Sequence, residues 1–456
     1  MGYILNNFRT KKIKNRFLIT TDHGSWVLLN ERGYDSLLGN KKINHSPRLY
    51  NLAVNKGVVL TEKNRECVIN DYRRKNLFLF NGASLHIVTP TLVCNQKCIY
   101  CHSNAKDINS KGYDMDKETA KKITDFIFQS PSKAITIEFQ GGEPLINFPV
   151  IQYFIEYAEY LNKKHKKDLR FSLVTNLTMM DSDILKYIIQ NKIGLCTSLD
   201  GPKIVHDKNR RYLGGKSSYE DVVRWIDIIK NQYGYRIEAL MVTTRFSLPY
   251  HKEIIDEYIK RGFGRIMIKF LNNLGFAQKT WNKISYTSDE FLSFWRKSVD
   301  YTRNLNGKIY DQYTIYLLQK ILTKSQSPFV DLRSPCGAAI SQLAYDHKGD
   351  IFTCDEGRQY DLFKIGNVSK NSYRGVLTSN HVCSIIAAST NDNFICDACV
   401  YKPYCGVCPV CSYAETGNII PKLAMNFRCR VHKGMFDYIF GALATNKNAF
   451  SNWPLK

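Results

Sequence analysis

The sequence predicts an α/β fold built on a parallel sheet, with a small unit before it and a cysteine-rich unit after it. Three observations carry this reading. From residue 84, short β-type apolar runs alternate with helix-length stretches. Residues suited to ligand chemistry fall at the C-terminal ends of those runs. Twelve of the fourteen cysteines crowd into a triad near residue 100 and a set running from Cys336 to Cys429. Alternation of this kind makes crossover connections, which lay successive strands side by side in parallel and gather active residues at their C-terminal ends.

The elements follow in order. Residues 17–21 and 25–29 are apolar runs around Asp22-His23-Gly24, a hairpin signal. A short helix over 31–38 is stopped by Gly39, and a second over 47–56 by Gly57; residues 58–60 then read as a strand. Hairpin, helix, helix, strand is a winged-helix-like order; the alternative is an N-terminal extension of the main domain. Beyond it, strands are predicted over 85–88, 134–139, 170–174, 194–199, 237–242 and 265–270. Helices are predicted between them over 116–129, 148–164, 180–191, 217–231 and 249–261, followed by 287–303 and 310–324. The cysteine-rich remainder reads as short strands and loops ending in a helix near residues 435–440.

A chain of 456 residues implies two or three domains, and the pattern divides it into 1–83, 84–325 and 326–456. The start shows no secretory leader, no run of eighteen apolar residues spans a membrane, and Asn6 breaks the myristoylation pattern that Met1-Gly2 opens. A cytoplasmic location is therefore expected, where clustered thiols hold metal rather than disulfides. The formal charge is +23, and residues 1–83 carry 15 Lys and Arg against 6 Asp and Glu. That balance suits an acidic partner as well as a phosphate backbone.

Cys94, Cys98 and Cys101 stand in C-N-Q-K-C-I-Y-C, just after the first predicted strand. Gly141-Gly142-Glu143-Pro144 ends the second, Thr175-Asn176 the third, and Ser198-Leu199-Asp200-Gly201-Pro202 the fourth, with His206-Asp207 and Arg210 following. This order resembles the radical S-adenosylmethionine (SAM) superfamily. The resemblance implies a partial (β/α)6 TIM-like barrel. Three thiolates would bind a 4Fe–4S cluster whose fourth iron takes SAM, and the 5′-deoxyadenosyl radical made there abstracts a substrate hydrogen. By the same resemblance Tyr100 lies against the adenine. Gly141, Gly142 and Glu143 form the turn near the SAM amino group, and Thr175 and Asn176 approach the ribose. Ser198, Asp200 and Arg210 belong to the carboxylate-binding run, with Arg211 an alternative to Arg210. On spacing alone the triad also suits zinc, with His102 as fourth ligand.

Cys336, twelve residues, Gly349, four residues and Cys354 resemble the start of a SPASM domain. Cys396-x-x-Cys399, five residues and Cys405 resemble its middle, and Cys429 its end. The resemblance implies two auxiliary 4Fe–4S clusters, one on Cys396, Cys399, Cys405 and Cys429, the other on Cys336, Cys354 and more. Pro409 stands where the pattern wants a cysteine, flanked by Cys408 and Cys411, so one or both of these ligate. A zinc ribbon is the competing reading. Asp355, beside Cys354, matches an aspartate proposed as the base in sulfatase-maturing relatives; Glu356 is the fallback. Cys67, Cys196 and Cys383 fit no pattern and read as buried small hydrophobes.

The chain as a whole resembles radical SAM/SPASM peptide maturases, nearest the His-Xaa-Ser system type (HxsB-like). The carrying features are the opening around residues 17–29, Cys405-Gly406-Val407-Cys408-Pro409-Val410 and His432-Lys433-Gly434-Met435-Phe436. That implies an oxidoreductase acting on a ribosomally made precursor peptide, bound through its leader by strand addition to the first domain. An external electron donor of flavodoxin or ferredoxin type and a second maturase complete the implied partners, with no membrane or nucleic acid among them. The competing classes are a sulfatase-type maturase and a zinc-containing nucleic-acid-binding protein.

Overall fold

The computed structural model describes residues 4–39, 43, 46–323, 329–422 and 426–455. The small N-terminal sheet is antiparallel: β1 (Phe8–Ile13), β2 (Arg16–Thr21) and β3 (Trp26–Leu29). Against it lie α1 (Glu31–Leu38) and α2 (Pro47–Asn55), around a core that includes Ile19, Val27, Leu37 and Val58. Strand β1 and α3 (Glu62–Asn76) go beyond the sequence expectation. The signal for α3 was missing for a physical reason: no residue of this helix is buried, so it has no apolar stripe to read.

All six predicted parallel strands form where expected, within two or three residues. They are β4 (Leu85–Thr91), β5 (Ala134–Gly141), β6 (Asp168–Val174), β7 (Gly194–Ser198), β8 (Ile237–Val242) and β9 (Arg265–Lys269). The crossover helices are α4 (Lys117–Phe128), α5 (Phe148–His165), α6 (Ser182–Gln190), α7 (Tyr219–Asp227) and α8 (His251–Lys260), followed by α9 (Ser288–Asn304) and α10 (Gln312–Leu322). Strands β4 to β9 lie in sequence order and pair in parallel throughout. Tyr310–Asp311 adds a short parallel strand at the far edge.

On the near edge the sheet continues into the C-terminal third. Strand β10 (Gln342–Tyr345) pairs parallel with β4, and β11 (Asp350–Phe352) and β12 (Lys364–Asn367) follow antiparallel. The segments expected as short strands thus extend the central sheet, because their apolar residues, Leu343, Ala344 and Ile351, bury completely against it. The expected boundary at 325/326 lies outside the described residues. α11 (Pro409–Thr416) carries Cys411, and α12 (Phe427–Thr445) packs along α9, with Gly434 pressed so closely on Leu292 that a Cβ would sit 2.3 Å from its Cδ1. Among the described residues no helix is long and apolar enough to cross a membrane.

Candidate active site and cysteine centres

The strand alternation that buries Ile135, Ile137 and Phe139 under the helices turns Glu138 and Gln140 to the opposite face. At the C-terminal end of that face the chain leaves β4 through Cys94 and loops over the strand ends. Cys94 is buried; Cys98 and Cys101 are half-buried. Burial and then Cys98 push the Cys94 thiol far up; burial pushes Cys98 to about 11 despite the opposing Arg210 guanidinium, with Cys101 raising both. Cys94 and Cys98, each raised by burial and by a neighbouring thiol, need a cationic centre to become thiolates together. An iron–sulfur cluster fits that donor set.

The other strand-end residues mostly bind each other. Glu143, fully buried, accepts from Thr175 Oγ1 (2.6 Å), the Asn176 amide (2.7 Å) and the Leu145 amide (3.1 Å). Burial lifts its carboxyl to about 7 against those three bonds. Asn176 Nδ2 donates to Asn95 Oδ1 (2.9 Å), which fastens β6 to the cysteine loop. Gly141 and Gly142 sit where a Cβ would lie 2.3 Å from Thr91 O and 2.1 Å from Val93 O. Their smallness is demanded by backbone packed on backbone, before any ligand is considered.

Tyr100 donates to Asp200 Oδ2 (2.7 Å) and accepts from Arg210 Nη1 (2.9 Å); Arg210 Nη2 donates to Gln96 Oε1 (3.3 Å). Asp200 Oδ1 also accepts the Val242 amide (3.1 Å). Arg210 is buried inside the cysteine loop with its Nε unpartnered, while Arg211 points outward to the Asp207 carbonyl. Ser198 stands half-buried at the end of β7. His206 is a packing residue: buried, with Nε2 3.2 Å from Ser218 Oγ.

His102 and Asp355 meet, a contact that 253 residues of separation hid from sequence reading: Nε2 lies 2.7 Å from Oδ2. Arg358 donates to the other oxygen. Burial opposes ionisation, but Arg358 and His102 outweigh it and hold the Asp355 carboxyl far below the usual range. An aspartate so paired is a weak proton acceptor by itself. Glu356 faces Lys269 at 3.7 Å.

The C-terminal cysteines fall into two groups. Cys336 and Cys354 both interact electrostatically with Cys408, and Cys408 Sγ accepts the Cys411 amide (3.5 Å). Cys405 interacts with Cys429, Cys396 and Cys399, and Cys396 with Cys399 and Cys429. Of two further residues here, Arg428 carried no sequence signal and His432 entered only as part of a resemblance motif. Arg428 is a buried cation beside Cys411 and Cys408, salt-bridged to Asp331 at 2.7 Å. His432 Nδ1 lies 3.5 Å from Cys405 Sγ, while its Nε2 meets Tyr313 OH at 2.8 Å. Among the described residues no three Cys, His, Asp or Glu side chains converge on one metal-ion position; a four-iron cluster, giving each thiolate its own iron, does not require that. The unassigned cysteines correct the expectation: Cys67 and Cys383 are exposed and Cys196 half-buried. α3 buries nothing, and the helix Asn380–Ala388 turns Val382 and Ile385 inward, not Cys383.

Residues 88–246 match the family model of the Radical SAM superfamily. The cysteine-type anaerobic sulfatase-maturating enzyme of Clostridium perfringens is 26% identical over 377 residues, covering 80% of this chain and 98% of its own. The structure of native anSMEcpe with bound AdoMet superposes with a TM-score of 0.69 at 22% identity, over 80% of this chain and 99% of that one. Streptococcus suis SuiB bound to precursor peptide SuiA gives 0.56 at 14% identity, over 94% and 99%. Motif order, strand-end placement and family match point the same way: residues 88–246 are similar to the Radical SAM superfamily, and the fold is that of the matched structures.

Proposed function

We propose that this chain is a radical SAM enzyme that modifies a ribosomally made precursor peptide by hydrogen-atom abstraction, with oxidative cross-linking as the outcome. The observation that carries the reading is the grouping of eleven cysteines as three, four and four. Cys94, Cys98 and Cys101 hold the SAM-binding cluster. Cys336, Cys354, Cys408 and Cys411 hold one auxiliary cluster, which makes both cysteines beside Pro409 ligands. Cys396, Cys399, Cys405 and Cys429 hold the other. When bound, SAM and the reduced cluster supply the radical that removes the hydrogen.

The chain's residues bind and orient. Glu143 locks the ends of β5 and β6, and the Tyr100–Asp200–Arg210 network fixes the cysteine loop over β7. When SAM is bound, Arg210, whose Nε is unpartnered, and Ser198 would take its carboxylate. Asp355 acts with His102 beside it. Residues 1–83 serve as the winged-helix-like unit for the leader. The likeness to peptide-bound SuiB supports this, since 94% coverage leaves about 27 residues unmatched (6% of 456), far fewer than 83.

A second reading, sulfatase-type maturation, is favoured by the Clostridium relative, which matches over nearly its whole length. One experiment separates these. Anaerobically reconstituted protein should hold about twelve irons and cleave SAM to 5′-deoxyadenosine on reduction. Co-expression with a neighbouring precursor should yield a peptide lighter by two hydrogens, read by mass spectrometry. Modification of a sulfatase peptide instead favours the second reading; stoichiometric zinc without SAM cleavage sinks both.

A further inference from the structure

Two adjoining cavities, about 320 and 390 Å³, run along the seam between the N-terminal unit and the auxiliary-cysteine region. They share Lys75, Asn76, Lys320, Ser334 and Pro403, so they form one groove. One wall is the end of α3 and the β2–β3 turn. The other is the end of α10 with residues near 334 and 391–405.

The charges lining this groove do not cancel. Each of its carboxylates already has a cation: Asp22 has Arg9 (2.7 Å), Asp392 and Asp397 share Lys402 (2.8 and 2.5 Å), and Asp71 has Arg74 (3.6 Å). Lys75 and Lys320 have only backbone carbonyls, those of Asp22 and Leu332, and among the described residues neither forms an ion pair with a carboxylate. Lys56 sits over the Trp26 ring (5.7 Å) at the same groove. Burial lowers the Lys75 ammonium to about 8, against the pull of Asp22, so its charged form gains from any anion that joins it.

We propose that this groove binds an acidic peptide segment, whose side-chain carboxylates pair with Lys75, Lys320 and Lys56. The proposal rests on the peptide-modifying reading above and names the chemistry by which such a peptide is held. A nucleic acid fits less well for two reasons. The paired aspartates along the walls would repel a continuous phosphate backbone but tolerate discrete carboxylates. Among the described lining residues aromatic faces for base stacking are few: Lys56 lies over the Trp26 ring, Arg333 covers the buried Phe78 ring, and Tyr72 is the exposed ring. The basic surplus of residues 1–83 would steer an acidic chain toward the groove.

The test uses full-length reconstituted protein and a fluorescein-labelled hexaglutamate peptide, followed by anisotropy. Saturable, salt-sensitive binding is expected. Lys75→Gln should weaken it at least about tenfold, Lys56→Glu should weaken it as well, and Lys75→Arg should restore most of it, which excludes misfolding as the cause. Equal binding of a hexaglutamine peptide, or no effect of Lys75→Gln, overturns the proposal. So does an RNA oligonucleotide of equal charge that displaces the peptide and binds more tightly through the same lysines. Reductive SAM cleavage by the wild-type protein without peptide is read in parallel. Cleavage without peptide binding overturns the groove alone, and binding without cleavage overturns the radical chemistry alone.

Discussion

At the scale of single residues, the site is held by polar groups that satisfy one another. Glu143 is the clearest case, with two carboxylate oxygens receiving three donors from two strand ends. Replacing it by Gln points an amide N–H at the Asn176 N–H and leaves buried donors unpaired. Glu143→Gln should therefore cost about 2–3 kcal/mol of stability, seen as a lower urea midpoint, together with less iron bound at the triad. The motif was legible here, but not the bonds its side chains make. Sequence resemblance placed the Glu143 turn and Thr175 near the cofactor; the fold adds that their side chains bond each other. Asp355 changes from an isolated candidate base to one member of an ion-paired group with His102 and Arg358.

At the scale of elements, strand ends are registered against the cysteine loop by direct backbone contact. The Gly142 amide donates to Thr91 O (2.9 Å) and the Glu143 amide to Val93 O (2.8 Å). A methyl group at Gly142 would sit 2.1 Å from Val93 O and 2.6 Å from Leu92 O, backbone atoms that cannot swing aside. Gly142→Ala should destabilise the protein by about 3 kcal/mol or more and displace Cys94. Iron analysis of whatever folds should then show one cluster fewer than wild type. The strands were legible because their apolar runs are strong and regularly bounded by turns. α3 was not, because a helix exposed all round leaves no periodicity.

At the scale of the whole molecule, buried histidines link stability to pH. His86 is fully buried between Tyr345 OH (2.9 Å) and the Ala83 carbonyl (3.2 Å), tying β4 to β10. Burial depresses its pKa from 6.5 to about 3, outweighing the Ala83 bond. Between those values the unfolded chain binds the extra proton, so stability rises with pH there and is lost as pH falls below 6.5. Comparison with His86→Gln isolates this contribution from Glu143, whose raised pKa acts oppositely. From about pH 7 to about pH 5, the wild type should lose up to about 1.4 kcal/mol per pH unit more than the variant, measured by anaerobic urea unfolding.

The sequence by itself determined the order of the six strands, the motif at each strand end and the resemblance of the central region to a known superfamily. Those features are local: period, turn residues and short spacings survive in one dimension. Only the tertiary structure brought Cys408 and Cys411 together with Cys336 and Cys354, joined His102 to Asp355, and carried the C-terminal strands onto the edge of β4. It also set Lys75 and Lys320 across one groove from a polar helix and a distant one. Each of these joins residues tens to hundreds of positions apart, and such contacts are chosen by which surfaces bury together. Spacing along the chain does not record that choice.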